Sequence, residues 1–165
     1  MRPARLVLLM MVVLNVAAIA YHWQTAPAVI WSHFNGAGLP DGRSGRVEFL
    51  VTWLGIVTLL PAIAMGYAAL LPRFSTGSIN IPNKELWLAP ERREATLRDL
   101  ADMLAWMMAA TTGFMFAVMQ GVIDANTRTP ARLGPWNNYA IVGLVSAMVL
   151  IAVRYLLHWA SPPER

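Results

Sequence analysis

Cysteine is absent from the chain, which excludes a disulfide framework, a thiol nucleophile and thiolate metal sites. Charge is scarce as well. Asp, Glu, Lys and Arg make up 13% of the 165 residues, against about 25% in soluble domains. Within the apolar runs the deepest polar residues are Asn15, Thr58, Thr111, Thr112 and Gln120, none of them ionisable. A proton or ion carrier needs an acidic or basic group at depth, so the pattern speaks against a standalone pump or antiporter. Catalytic signatures are also missing: the sequence has no phosphate-cradling glycine loop, no G-x-S-x-G and no H-E-x-x-H. The chain is therefore read as a non-enzyme, with no catalytic residue, metal or cofactor assigned.

What is present is hydrocarbon. Hydrophobic residues reach 57%, against about 45–50% in typical domains, and they are gathered into four blocks. The expectation is an all-α, four-helix transmembrane bundle forming a single domain over 1–165, with spans at about 6–23, 49–71, 103–123 and 139–159. The formal charge of +4 and a pI near 10.1 do not indicate nucleic acid, because the basic residues stand at block ends, where membrane topology places them.

The first block admits two readings. Arg2 and Arg5, an apolar centre and Ala18-Ile19-Ala20 resemble a cleavable signal peptide. Tyr21 and Trp23 directly after that site favour a retained helix with aromatics at the headgroup layer. Asn15 offers one amide to another helix, a bond of about 1 kcal/mol in lipid. In the second block Pro61 removes one backbone donor and predicts a kink, with Thr58 available to the freed carbonyl. In the third, Ala109, Gly113, Ala117 and Gly121 recur every fourth residue, a small-xxx-small stripe suited to close helix packing or, less directly, to a homodimer face. Ala62 with Gly66, and Gly143 with Ala147, offer matching shallow faces on the neighbouring spans.

Two polar connections carry the remaining information. Ala28 to Arg46 concentrates Asn35, Gly36, Gly38, Pro40, Asp41 and Gly42, a composition that predicts tight turns, and it holds His33, Asp41, Arg43 and Arg46. His33 and Asp41 suggest an acid and base pair, or with His22 a metal site, although the spacing matches no ligand pattern. The plainer alternative has His33 bonding a loop carbonyl and Asp41 capping the Pro-Gly turn. In the second connection Pro82 and Pro90 bracket Leu86-Trp87-Leu88, suited to lying along the interface. A helix is expected from Pro90, with Glu91 and Glu94 at its start and Glu94 paired with Arg98, running unbroken into the third span. Arg92, Arg93 and Arg98 alternate with Glu91, Glu94 and Asp99, which reads as a solvated face before a lipid or partner site.

Placing the N-terminus inside puts eight basic residues (Arg2, Arg5, Arg73, Lys84, Arg92, Arg93, Arg98, Arg165) in the cytoplasm and four (Arg43, Arg46, Arg128, Arg132) outside. Both termini are then cytoplasmic and the His33 connection faces outward.

The residues of both connections resemble a known family. Pro27, Ser32-His33-Phe34-Asn35, Gly38, Pro40-Asp41-Gly42 and Arg46 are similar to the N-terminal membrane domain of the SdpI type. Asn80-Ile81-Pro82-Asn83-Lys84, Trp87 and Pro90-Glu91-Arg92 resemble the second signature of the same domain. Trp31 and Arg43 depart from the pattern, and the type member's second membrane half has no counterpart here. The resemblance implies an all-helical bacterial inner-membrane protein. In the type member it further implies immunity to a secreted toxin and capture of a transcriptional repressor. It marks His33, Asn35, Asp41 and Arg46 as outer ligand-binding residues, and Asn80, Pro82, Asn83, Lys84, Trp87, Glu91 and Arg92 as an inner site. The partners expected are membrane lipid, a peptide or envelope ligand, a cytoplasmic regulator and a homo- or hetero-oligomer. A structural subunit of a larger membrane complex and a small metal-dependent enzyme are the alternative classes.

Overall fold

The computed structural model describes residues 2–162; Arg165, counted above among the cytoplasmic charges, lies outside them. Helix α1 (Pro3–Thr25) begins on a proline in its first turn, where a missing N–H costs nothing. It stops at Ala26, whose extended backbone suits the residue before Pro27. Strands β1 (Val29–Phe34) and β2 (Pro40–Gly45) form an antiparallel hairpin. Helix α2 (Arg46–Leu70) starts with Glu48 in its first turn, complementing the dipole, and gives way to a 3₁₀ turn at Leu71–Arg73. A second 3₁₀ turn (Thr76–Ser78) and the short α3 (Lys84–Trp87) lead to α4 (Arg93–Ala125) and α5 (Trp136–Ala160).

The four long helices are long and apolar enough to cross a membrane, and the expected spans lie inside them except Leu71, which falls in the 3₁₀ turn. With 33 residues, α4 is about 50 Å long at 1.5 Å per residue. That exceeds the ~30 Å hydrocarbon layer, so part of α4 extends beyond it. The extension begins at Arg93 rather than Pro90, because Ala89 to Arg92 close a turn in which the Arg92 and Arg93 amides both donate to the Ala89 carbonyl at 2.9 Å.

Helix α4 is central, touching α1, α2 and α5, while α1 also touches α2. It runs parallel to α1, and three polar ties fix their register. Arg2 bonds Asp99 and Asp102 at one end (3.1 and 2.7 Å), Asn15 donates to the Thr112 carbonyl at 3.0 Å in the middle, and His22 meets Gln120 at 3.2 Å at the other end. From residue 2 to residue 22 a helix rises about 30 Å, so the ties span one hydrocarbon thickness. Pro61 lies within α2 without ending it. Thr58 does not reach the carbonyl that Pro61 frees. Its hydroxyl donates instead to Leu54 at 2.6 Å.

The buried apolar residues form two clusters. One joins the hairpin's Ile30 to Ile19, Leu50, Val57 and Met119. The other joins Ile79, Ile81 and Leu88 of the second connection to Leu71, Leu97, Leu100 and Trp159. Each polar connection thus plugs apolar side chains into one end of the bundle, where water still drives their burial.

Candidate functional site

The first connection is a strand pair rather than a run of turns. Val29, Ile30 and Trp31 have the β-branched and aromatic character of a strand. They pair with Gly45, Ser44 and Arg43, and the register then shifts on either side of His33, leaving Ser32 and Asp41 unmatched. Bulges of this kind re-aim side chains, and here His33 and Asp41 meet across the hairpin, Nδ1 to Oδ1, at 2.5 Å. A carboxylate only accepts, so Nδ1 carries the donated proton. Nε2 of His33 makes no hydrogen bond among the described residues. The plain alternative of separate local bonds for His33 and Asp41 is therefore replaced by a mutual pair. The imidazole side chain is 75% exposed and the carboxylate 42%, so the pair faces solvent with one ring nitrogen open.

The rest of the outer set holds this platform in place. Asn35 Oδ1 accepts from the amides of Ala37 and Leu39 (2.9 and 3.1 Å), closing the hairpin turn. Gly38 takes φ +73°, and its carbonyl accepts the Leu133 amide at 3.0 Å, docking the loop before α5 onto the tip. Arg46 donates to the Ala26 carbonyl at 3.0 Å. Asn126, which sequence reasoning missed, uses its side-chain amide as a substitute strand. It accepts from Trp31 N–H at 2.8 Å and donates to Trp31 C=O at 3.0 Å, fixing β1 to the end of α4. A lone Asn after an apolar span is the only signal it left.

His22 does not join His33 and Asp41. It is buried on α1, with Nδ1 at Thr25 and Nε2 at Gln120. No group of three or more His, Asp or Glu able to hold a metal occurs among the described residues.

The inner set divides differently. Asn83, in the left-handed region at φ 51°, donates to the carbonyls of Trp159 and Ala160 at 3.1 and 2.8 Å, and Trp87 Nε1 donates to Trp159 at 2.9 Å. These are the orphan carbonyls at the end of α5. Thr96 donates to the Trp87 carbonyl at 2.7 Å, and Arg93 donates to Phe74 at 2.5 Å. Asn83 and Trp87 are thereby brought together, with Lys84 opening α3 beside them. Asn80 and Glu91 are exposed, while Pro82 and Arg92 are half-buried. The segment around Trp87, expected to suit the bilayer interface, folds back as a cap on the end of α5. Nor are the alternating charges one solvated face: Arg93 caps carbonyls and Asp99 binds Arg2, leaving Glu94–Arg98, at 3.2 Å, as the exposed pair.

A polar cavity of about 440 Å³ was also missed. It lies where α1 begins, between α4 and α5, and is lined by Asp99, Asp102, Trp106, Arg154, Tyr155 and His158. Its two carboxylates hold Arg2, and the hydrogen bond to Asp102, followed by that to Asp99, raises the guanidinium's pKa. Residues 99, 102 and 106 share one helix face, but nothing local marks Arg2, Arg154 and His158 as their neighbours.

The small-residue stripe does not act as a unit. Ala109 is buried, and a Cβ on Gly121 would come within 2.6 Å of the Asn137 amide, which marks a close α4–α5 approach. Gly113 lies beside Met11, where a Cβ would be 3.5 Å from the sulfur, and with Ala117, Gly143 and Ala147 it lines a groove of about 330 Å³ between α4 and α5. A Cβ on Gly66 or Gly143 would meet open space, so the matching shallow faces expected there are not tightly packed. No protein-family model, curated protein or solved structure matches the chain.

Proposed function

We propose that this multi-pass membrane protein is a bacterial inner-membrane binding protein. In this reading the hairpin recognises an extracytoplasmic peptide or envelope component, in the manner of the immunity proteins it resembles, and both termini are cytoplasmic. The observation that carries the reading is the His33–Asp41 pair, exposed and oriented on a hairpin whose other signature residues are engaged in holding it. An imidazole fixed through Nδ1 presents Nε2 outward as an acceptor, or as a donor once protonated, which suits a polar peptide group. Helix α4 provides the route inward, because Asn126 ties the hairpin to one end and Thr96 ties the second connection to the other. Cells carrying His33→Ala or Asp41→Ala are expected to lose protection against the secreted peptide that the wild-type chain counters, at unchanged membrane levels. Wild-type protection in both variants overturns the reading.

The groove lined by Gly113 and Ala117 favours a second reading, a structural subunit whose partner helix fills that seam. Gly113→Leu is then expected to abolish co-purification of a fixed membrane partner while leaving the His33-dependent response intact.

A further inference from the structure

At the end of the bundle where α1 begins and α5 ends, two grooves beside α1 and α2 share three lining residues, Arg5, Ala68 and Ala69. One, of about 370 Å³, is apolar and continues past Leu8, Val12, Pro61 and Met65. The other, of about 390 Å³, opens toward Pro72, Arg93, Glu94 and Arg98. Because α1 and α2 run in opposite directions, Val12 lies level with Pro61 and Arg5 with Ala68. The apolar half therefore follows the helices for about 10 Å from Arg5, directed into the hydrocarbon.

The polar half is lined by three arginines, Arg5, Arg93 and Arg98, and one glutamate, Glu94. Arg98 is shared with Glu94 at 3.2 Å, and Arg93 is partly spent on the Phe74 carbonyl. Arg5 makes no ion pair among the described residues. It stands three residues from Arg2, whose carboxylate partners Asp99 and Asp102 belong to the other side of α4's polar end. Arg5 thus occupies the junction of a positively charged pocket and a lipid-facing channel, with the small side chains of Ala68 and Ala69 leaving the passage between them open.

We infer that this compound groove is a binding site for an anionic phospholipid of that leaflet. Its phosphate lies among Arg5, Arg98 and Arg93, and the start of one acyl chain lies along Leu8, Val12 and Pro61. The excess of cations selects a headgroup with net negative charge over a zwitterionic one, whose amine would face guanidinium groups. The apolar continuation selects an amphiphile over a free phosphate, which would leave that half without a purpose. This assignment is independent of the hairpin's role.

Native mass spectrometry of the full chain, titrated with phosphatidylglycerol, phosphatidylcholine or inorganic phosphate, tests it. Phosphatidylglycerol is expected to be retained at least about fivefold over phosphatidylcholine, with inorganic phosphate neither retained nor competing at equal concentration. Arg5→Gln is expected to cut the preference at least threefold, roughly the effect of one phosphate-binding cation, Arg5→Lys to keep most of it, and Arg43→Gln, on the hairpin, to leave it unchanged. Ala62→Trp, which fills the apolar half, is expected to lower phosphatidylglycerol retention without altering its charge dependence. Equal retention of the two lipids overturns the site, as does competition by inorganic phosphate. Equal losses in Arg5→Gln and Arg43→Gln would also overturn it, since that marks general charge attraction.

Discussion

The two polar connections are built alike and end differently. Each anchors itself with buried aliphatic side chains, Ile30 in the hairpin and Ile79, Ile81 and Leu88 in the second connection. Each also uses a side-chain amide to stand in for backbone, Asn126 on β1 and Asn83 on the end of α5. The second connection commits Asn83 and Trp87 to closing the end of α5, with Arg93 and Thr96 of α4 holding the Phe74 and Trp87 carbonyls, while its Asn80 and Glu91 stay exposed without forming a pair. The hairpin satisfies its backbone with Asn35, Arg46 and Asn126 and still displays His33 and Asp41 to solvent. A signature residue is thus informative about function only after its structural work is subtracted. In the proposed reading the hairpin is the recognition element, while Asn83 and Trp87 of the other connection close the end of α5.

The comparison can be broken at several points, the largest effects first. Ile30→Ala and Leu88→Ala remove anchors of equal kind, and each is expected to destabilise by about 2–4 kcal/mol, read as loss of thermal stability in nanodiscs. If only one does, the two connections are not equivalently anchored. Arg2→Gln leaves the Asp102 carboxylate, 15% exposed, without its cation and is expected to cost about 1–2 kcal/mol, between a buried and a surface pair. Asn83→Ala and Asn126→Ala each remove two or three hydrogen bonds and are expected to cost about 1–2 kcal/mol. Proteolysis should then open the second connection in one and the hairpin in the other. Smallest in stability is His33→Ala, expected below about 0.5 kcal/mol because the pair is exposed, yet on the proposed reading it is expected to abolish the response. A large stability loss in His33→Ala would make the pair one more strut.

The spans were legible because hydrocarbon needs about 20 consecutive apolar residues and little else imitates that. The hairpin was not. Strand β2 reads Pro40-Asp41-Gly42-Arg43-Ser44-Gly45, without a β-branched or aromatic residue, and owes its conformation to pairing with β1. Pro90 suggested a helix start that the turn at Ala89 delays to Arg93. Asp99 and Asp102 were hidden by an apparent alternation of charge, since their partner Arg2 is 97 residues or more away. Asn126 shows only its place after an apolar span and Asn137 no pattern, and their contacts, to Trp31 and against Gly121, exist only once the helices pack. Three of the four candidate outer residues lie in the hairpin and Arg46 opens α2 at its base, but only His33 and Asp41 are left facing outward as a pair.

The absence of cysteine makes one measurement direct. Gly36→Cys places a thiol on the exposed hairpin tip, where a Cβ meets nothing within 4 Å, and Glu91→Cys places one on the exposed part of the second connection. With a membrane-impermeant maleimide on intact cells, residue 36 is predicted to label at once and residue 91 only after permeabilisation. Labelling of residue 91 in intact cells, with residue 36 protected, would contradict an outward-facing recognition hairpin.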